Sequence, residues 1–125
     1  MSAARKRVLV IEDEADLRDL IRAYLEEAGY EVATAADGRE GLQRQRSAPA
    51  SVVVTDIFMP GKEGIETVFD LKREFPDTRI IVMSGGPTLT KGMDYLGLAR
   101  ELGAAKTLPK PFTLKELEKA VSELA

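Results

Sequence analysis

Short apolar runs alternate with helically periodic segments five times along this chain, and that rhythm restricts it to α/β architecture built on a mainly parallel sheet. The runs lie at residues 8–11, 30–35, 51–55, 79–83 and 106–108. The one at 30–35 mixes Val32 with Tyr30 and Thr34, a weaker pattern suited to a sheet edge. Leu17, Leu20, Ile21, Tyr24 and Leu25 form a helical stripe that Gly29 ends. A short helix over 38–45 turns Leu42 inward and stops before Pro49. Ile65, Val68, Phe69 and Leu71 gather on one side of a helix over 65–75, which Pro76-Asp77 closes. A fourth helix over 95–102 stops at Gly103. Thr113 and Glu116 make a capping box for the last helix, whose buried seam is Leu114, Leu117, Val121 and Leu124.

The 125 residues fit one domain over 1–125, and the capped last helix ends as a complete domain would. With 44% hydrophobic and 31% charged residues, the composition is globular. A net charge of −3 gives no basic field for nucleic acid. No apolar stretch reaches the length of a membrane span and no signal-peptide core follows Met1, so the expected location is cytoplasmic. Cysteine and histidine are both absent, which rules out disulfides, thiolate zinc sites and imidazole acid–base chemistry from this chain's own side chains.

Four of the apolar runs end in reactive polar groups: Glu12-Asp13-Glu14 after the first, Asp56 after the third, Ser84 after the fourth and Lys110 after the fifth. In a doubly wound sheet of order 2-1-3-4-5, the carboxyl ends of the first and third strands meet at the switch point where ligands bind. Glu12, Asp13 and Asp56 would converge there. Two carboxylates about 4 Å apart repel by roughly 4 kcal/mol at an effective dielectric of 20, so three ask for a divalent cation. All-oxygen ligation favours Mg²⁺, with Mn²⁺ as the alternative. Strands lie about 4.8 Å apart, so Ser84 needs only a short reach toward Asp56, while Lys110 must span about 10 Å. A carboxylate nucleophile, a metal, a hydroxyl and an ammonium are what phosphoryl transfer to an aspartate requires. Each residue alone has an ordinary explanation as a helix-dipole partner, a turn former or a solvated side chain. Their joint occurrence at four strand ends is the signal.

Val10-Ile11-Glu12-Asp13-Glu14, Asp56-Ile57-Phe58-Met59-Pro60 with Gly64 following, Met83-Ser84-Gly85 and Pro109-Lys110-Pro111-Phe112 together resemble the receiver domain of bacterial two-component response regulators, over nearly the whole chain. The resemblance implies a flavodoxin-like fold: a five-stranded parallel sheet of order 2-1-3-4-5 with helices on both faces, an order already known for such receivers. It also implies that Asp56 accepts a phosphoryl group from a sensor histidine kinase or a histidine phosphotransfer protein. Asp13, Asp56 and the backbone carbonyl of Phe58 are then the direct Mg²⁺ ligands, Glu12 acts through water, and Ser84 and Lys110 contact the phosphoryl oxygens. A cis Lys110-Pro111 bond belongs to the same pattern. Phosphorylation would bias helix four, strand five and helix five toward a downstream protein target. No turnover enzyme is implied beyond self-catalysed phosphotransfer and slow self-dephosphorylation.

Two positions set this chain apart from that pattern. Thr107 stands where the family often has an aromatic residue, so the Gly-rich segment 85–94, with Tyr95, is expected to carry the conformational signal instead. Phe58, bulky and apolar two residues past Asp56, is expected to hinder an attacking water and slow dephosphorylation. The competing readings are a metal-dependent phosphohydrolase with an aspartyl-phosphate intermediate, a pseudo-receiver that only binds proteins, and a receiver fragment of a multidomain regulator. Phe58 stands where the phosphohydrolases carry a second acid, and there is no cap-sized insertion.

Overall fold

A computed structural model describes residues 6–56, 63–84 and 95–125, the side chains of residues 63, 84, 95, 96 and 98 excepted. Its strands are β1 (Arg7–Ile11), β2 (Glu31–Ala35), β3 (Val52–Asp56), β4 (Arg79–Ser84) and β5 (Lys106–Pro109). They alternate with α1 (Ala15–Glu27), α2 (Gly38–Ser47), α3 (Glu63–Glu74), α4 (Tyr95–Glu101) and α5 (Leu114–Leu124). The strands form one parallel sheet in the order β2-β1-β3-β4-β5. This is the doubly wound arrangement that the alternation and the resemblance lead one to expect, with the mixed-polarity β2 at an edge.

Side-chain alternation explains why the inner strands read as unbroken apolar runs. On β1 and β3, Leu9, Ile11 and Val53 point to one side, where Val68 and Leu71 of α3 and Ala99 of α4 complete a core. Val8, Val10, Val52 and Val54 point to the other, against Ile21 and Leu25 of α1 and Leu117 and Val121 of α5. Both faces are covered, so every position of β3 is buried and neither face has room for a polar residue without a partner. The register sets Val10 beside Val54 and Asp56 beside Met83. The carboxyl ends of β1, β3 and β4 are therefore level.

The helices depart from the sequence reading in three places. Leu20 and Tyr24 do not join the buried stripe of α1; they are 53% and 37% exposed, and only Ile21 and Leu25 are fully buried. Phe69 is likewise 51% exposed on α3, with the Arg73 guanidinium carbon 6.0 Å from its ring centroid. The third departure is one of extent: α2 continues to Ser47 rather than ending near Gln45, α3 spans Glu63–Glu74 rather than 65–75, and Leu114 and Leu124 of the α5 seam are only partly buried.

Gln45 itself is fully buried. Its Nε2 donates to the Ala50 carbonyl at 2.9 Å and to Thr78 Oγ1 at 3.1 Å, while its Oε1 accepts from the Ala50 amide at 2.9 Å. The side-chain amide thus completes the backbone hydrogen bonding of the turn that feeds β3. Thr113 and Glu116 form the expected capping box at the start of α5.

Replacing Gln45 with Leu fills the space but strands the amide and carbonyl of Ala50 and the hydroxyl of Thr78, at about 1–3 kcal/mol for each group left unpaired. Urea unfolding is expected to show a net loss of about 2–4 kcal/mol, since partial relaxation relieves some of that cost.

Candidate functional site

Glu12 and Asp13 follow directly on β1, Asp56 closes β3, and Lys110 is the residue after β5. The parallel register gathers them at one edge of the sheet, where one carboxylate oxygen from each of Glu12, Asp13 and Asp56 lies within 4.8 Å of the others. Glu12 and Asp56 are buried, and Asp13 is exposed. Lys110 reaches across β4 so that its Nζ is 3.0 Å from Asp56 Oδ2 and 3.6 Å from Glu12 Oε1. Only a long, flexible side chain can cover that distance from the sheet edge.

The Glu12 peptide is held from both sides. Its amide donates to the Ala35 carbonyl at 3.0 Å, and its own carbonyl accepts from Arg18 Nη1 at 2.8 Å. The Glu12 side chain turns inward, where Oε2 accepts from the Glu14 amide at 3.0 Å. Oε1 is buried with no hydrogen-bond partner among the described residues.

Burial away from water is the main reason the Glu12 carboxyl is pushed up from 4.5 to about 7, and the neighbouring Asp56 charge adds to it. The Glu14 amide and Lys110 oppose that rise without cancelling it. At Lys110, burial favours the neutral amine, but the hydrogen bond and charge of Asp56, with the charge of Glu12, outweigh it and hold the ammonium above its ordinary value. Among the described residues, one ammonium therefore faces more negative charge than it can neutralise. Glu12 Oε1, buried with only the 3.6 Å ion pair to Lys110 and no hydrogen bond among the described residues, and the close-set hard oxygen donors suit a divalent cation of the Mg²⁺ type, which accepts one or two carboxylates and retains waters.

Glu12, Asp13, Asp56 and Lys110, expected from the sequence to share one pocket, lie together at the carboxyl ends of the strands. Ser84 ends β4 in register with Pro109, next to the residue that pairs with Asp56, while its side chain lies outside the described residues. Phe58, the segment 85–94 and the side chain of Tyr95 lie outside them as well. The Lys110–Pro111 peptide is cis, as the resemblance implies. Thr107 accepts a hydrogen bond from Arg100 Nη1 of α4 at 3.3 Å, so a polar contact joins β5 to α4 where the family often has an aromatic ring. Arg18 was not singled out from the sequence. Its signal, an arginine one helical turn after the acidic run, resembles any solvated helix residue.

The folded Glu12 carboxyl keeps its proton to about pH 7, whereas an unfolded chain releases it near 4.5. Its contribution to stability is fully present below about 4.5 and is lost as pH rises to about 7. In EDTA, Glu12→Gln is expected to raise the urea midpoint over wild type substantially at pH 8 and little at pH 5. Equal gains at both pH values would contradict this account of the buried carboxyl.

Comparison with known proteins gives a consistent picture. The sequence profile of the response regulator receiver domain matches residues 8–122. A probable transcriptional regulator, ycf27, from Cyanophora paradoxa is 35% identical over 99% of this chain and 50% of its own length. The DNA-binding transcriptional regulator NtrC from Azospirillum brasilense is 36% identical over 97% of this chain and 24% of its own length. The chain thus spans half or less of these curated relatives. Among solved structures, the Vibrio cholerae chemotaxis protein CheY4 superposes with a TM-score of 0.85 at 31% identity, covering 98% of this chain and 100% of that one. A response regulator receiver domain protein from Clostridium thermocellum gives 0.85 at 32% identity, covering 95% and 93%.

Proposed function

The chain belongs to the response regulator receiver domain family of two-component phosphorelay signalling, and on that premise we propose that Asp56 is its phosphoacceptor. The observation that carries this reading is the pairing of Asp56 Oδ2 with Lys110 Nζ at 3.0 Å beside two further acids. An Asp56 carboxylate oxygen attacks the phosphorus of a phosphohistidine on a sensor kinase or phosphotransfer protein. A P–O bond forms, the P–N bond breaks, and the imidazole leaves as the partner's own group. Asp56 is the nucleophile in its ionised form, so no base is needed and the missing histidine is no handicap.

Lys110 neutralises an equatorial oxygen of the transferring group, and the Ser84 hydroxyl donates to another. Asp13, Asp56 and the Phe58 carbonyl would hold Mg²⁺, with Glu12 acting through water. The ion supplies charge neutralisation for the nucleophile and the phosphoryl oxygens when bound. Once Asp56 carries the phosphoryl group, Lys110 trades a carboxylate partner for a dianionic one. That change biases helix α4, strand β5 and helix α5 toward a downstream protein partner. The route runs through the segment 85–94, with the Arg100–Thr107 contact as a second link between α4 and β5.

Incubation with acetyl phosphate and Mg²⁺ is expected to add one phosphate to the intact mass of the wild type and none to Asp56→Asn. An adduct of equal yield in both proteins would place the chemistry elsewhere, and sustained hydrolysis of small phosphate esters would favour a phosphohydrolase. Phe58→Asn is expected to shorten the lifetime of the phosphorylated protein, because a polar, smaller residue admits and orients water at the acyl phosphate. Equal lifetimes would remove Phe58 from this account.

A further inference from the structure

Helix α1 begins without the usual side-chain cap. Its N-cap residue, Glu14, is extended with φ −83° and ψ 114° and makes no capping hydrogen bond with its own side chain. The Glu14 carbonyl takes the ordinary first helical hydrogen bond, from the Arg18 amide at 2.9 Å. The additional tie is the Arg18 guanidinium, which reaches back past Glu14 to the Glu12 carbonyl at 2.8 Å. The main chain at Glu12 is therefore fastened to the first turn of α1 by one side chain. The Ala35 amide-accepting carbonyl fixes the other side of the Glu12 peptide. With both sides held, the Glu12 carboxylate turns toward Asp56 and Lys110. Asp13, although exposed, is kept with an oxygen inside the 4.8 Å cluster.

We propose that Arg18 is a positioning residue for the acidic pocket, acting through the Glu12 carbonyl to set the spacing of the carboxylates that receive a divalent cation. The inference rests on the proposed function of that pocket. It also makes a prediction opposite in sign to a simpler view. A guanidinium one peptide away from a cation site repels the cation, so if charge were its main effect, removing it would tighten binding. If geometry is its main effect, removing it loosens binding, because partners that orient ligating groups commonly matter by 10–100-fold.

Calorimetric titration of MgCl₂ into metal-free protein decides between them. Arg18→Met keeps the aliphatic stem and removes charge and donor together, whereas Arg18→Lys keeps both. The expected result is an Mg²⁺ Kd about tenfold weaker in Arg18→Met, with Arg18→Lys restored to near the wild-type value. In EDTA, the Glu14 amide of Arg18→Met should exchange hydrogen about fivefold faster or more, while the Val53 and Val54 amides stay as protected as in the wild type. In the acetyl phosphate reaction, the Mg²⁺ concentration for half-maximal labelling should rise.

A merely structural Arg18 would lower the unfolding midpoint and leave the Kd and the half-maximal concentration where they were, and that overturns the proposal. So does tighter Mg²⁺ binding by Arg18→Met. If the wild type binds Mg²⁺ and the variant binds it equally, only the role of Arg18 falls. If the wild type takes up none, the pocket's cation reading falls with it. Arg18→Gln serves in place of Arg18→Met should the latter fail to fold.

Discussion

Among the described residues, one ammonium, Lys110, stands among more negative charge than it can balance, and the chemistry of the pocket follows from that shortage. Nζ lies 3.0 Å from Asp56 and 3.6 Å from Glu12, and Asp13 has an oxygen within 4.8 Å of an oxygen on each of those two acids. Two like charges this close in a partly dry setting cost several kcal/mol unless something relieves them. The protein relieves part of the cost by leaving Glu12 protonated up to about pH 7. A cation or a phosphoryl group would change that balance at once, which is the property a switch needs.

The sheet turns this local imbalance into a defined geometry. Because β1, β3 and β4 run parallel and in register, their carboxyl ends present Glu12, Asp56 and Ser84 side by side. The rows behind them are fully buried aliphatic side chains, Val10 and Ile11 on β1 and Val53 and Val54 on β3, packed against helices on both faces. Such a base is close-packed and yields little. The acids at the ends of β1 and β3 therefore sit on a rigid floor. Arg18 extends the same logic to the turn after β1, since it ties Glu12 to helix α1.

Much of this could be read from residue order. Alternating periodicities gave the parallel α/β layout, Thr113 and Glu116 gave the start of α5, and polar groups at strand ends gave four members of the pocket. These features are local, or become local once the strand order is known. The misreadings involve partners far apart in the chain. Leu20, Tyr24 and Phe69 follow the same spacing as buried residues yet stay exposed, since the side chains that cover Ile21, Leu25, Val68 and Leu71 come from strands and helices distant in the chain. Gln45 looks like a surface residue until Ala50 and Thr78 are placed around it. Arg18 is equally silent, because its value depends on the direction of the Glu12 carbonyl, which a sequence does not display.

Crowded carboxylates leave the pocket of the folded protein short of positive charge, and thermal unfolding across a magnesium series tests this directly. A ligand that binds only the folded state stabilises it in proportion to the logarithm of its concentration above Kd. The melting temperature of the wild type should therefore climb by several degrees from EDTA to about 10 mM MgCl₂, while Asp56→Asn, with one carboxylate fewer, climbs much less. A wild-type melting temperature that stays flat across the series, or an identical climb in both proteins, would contradict the account.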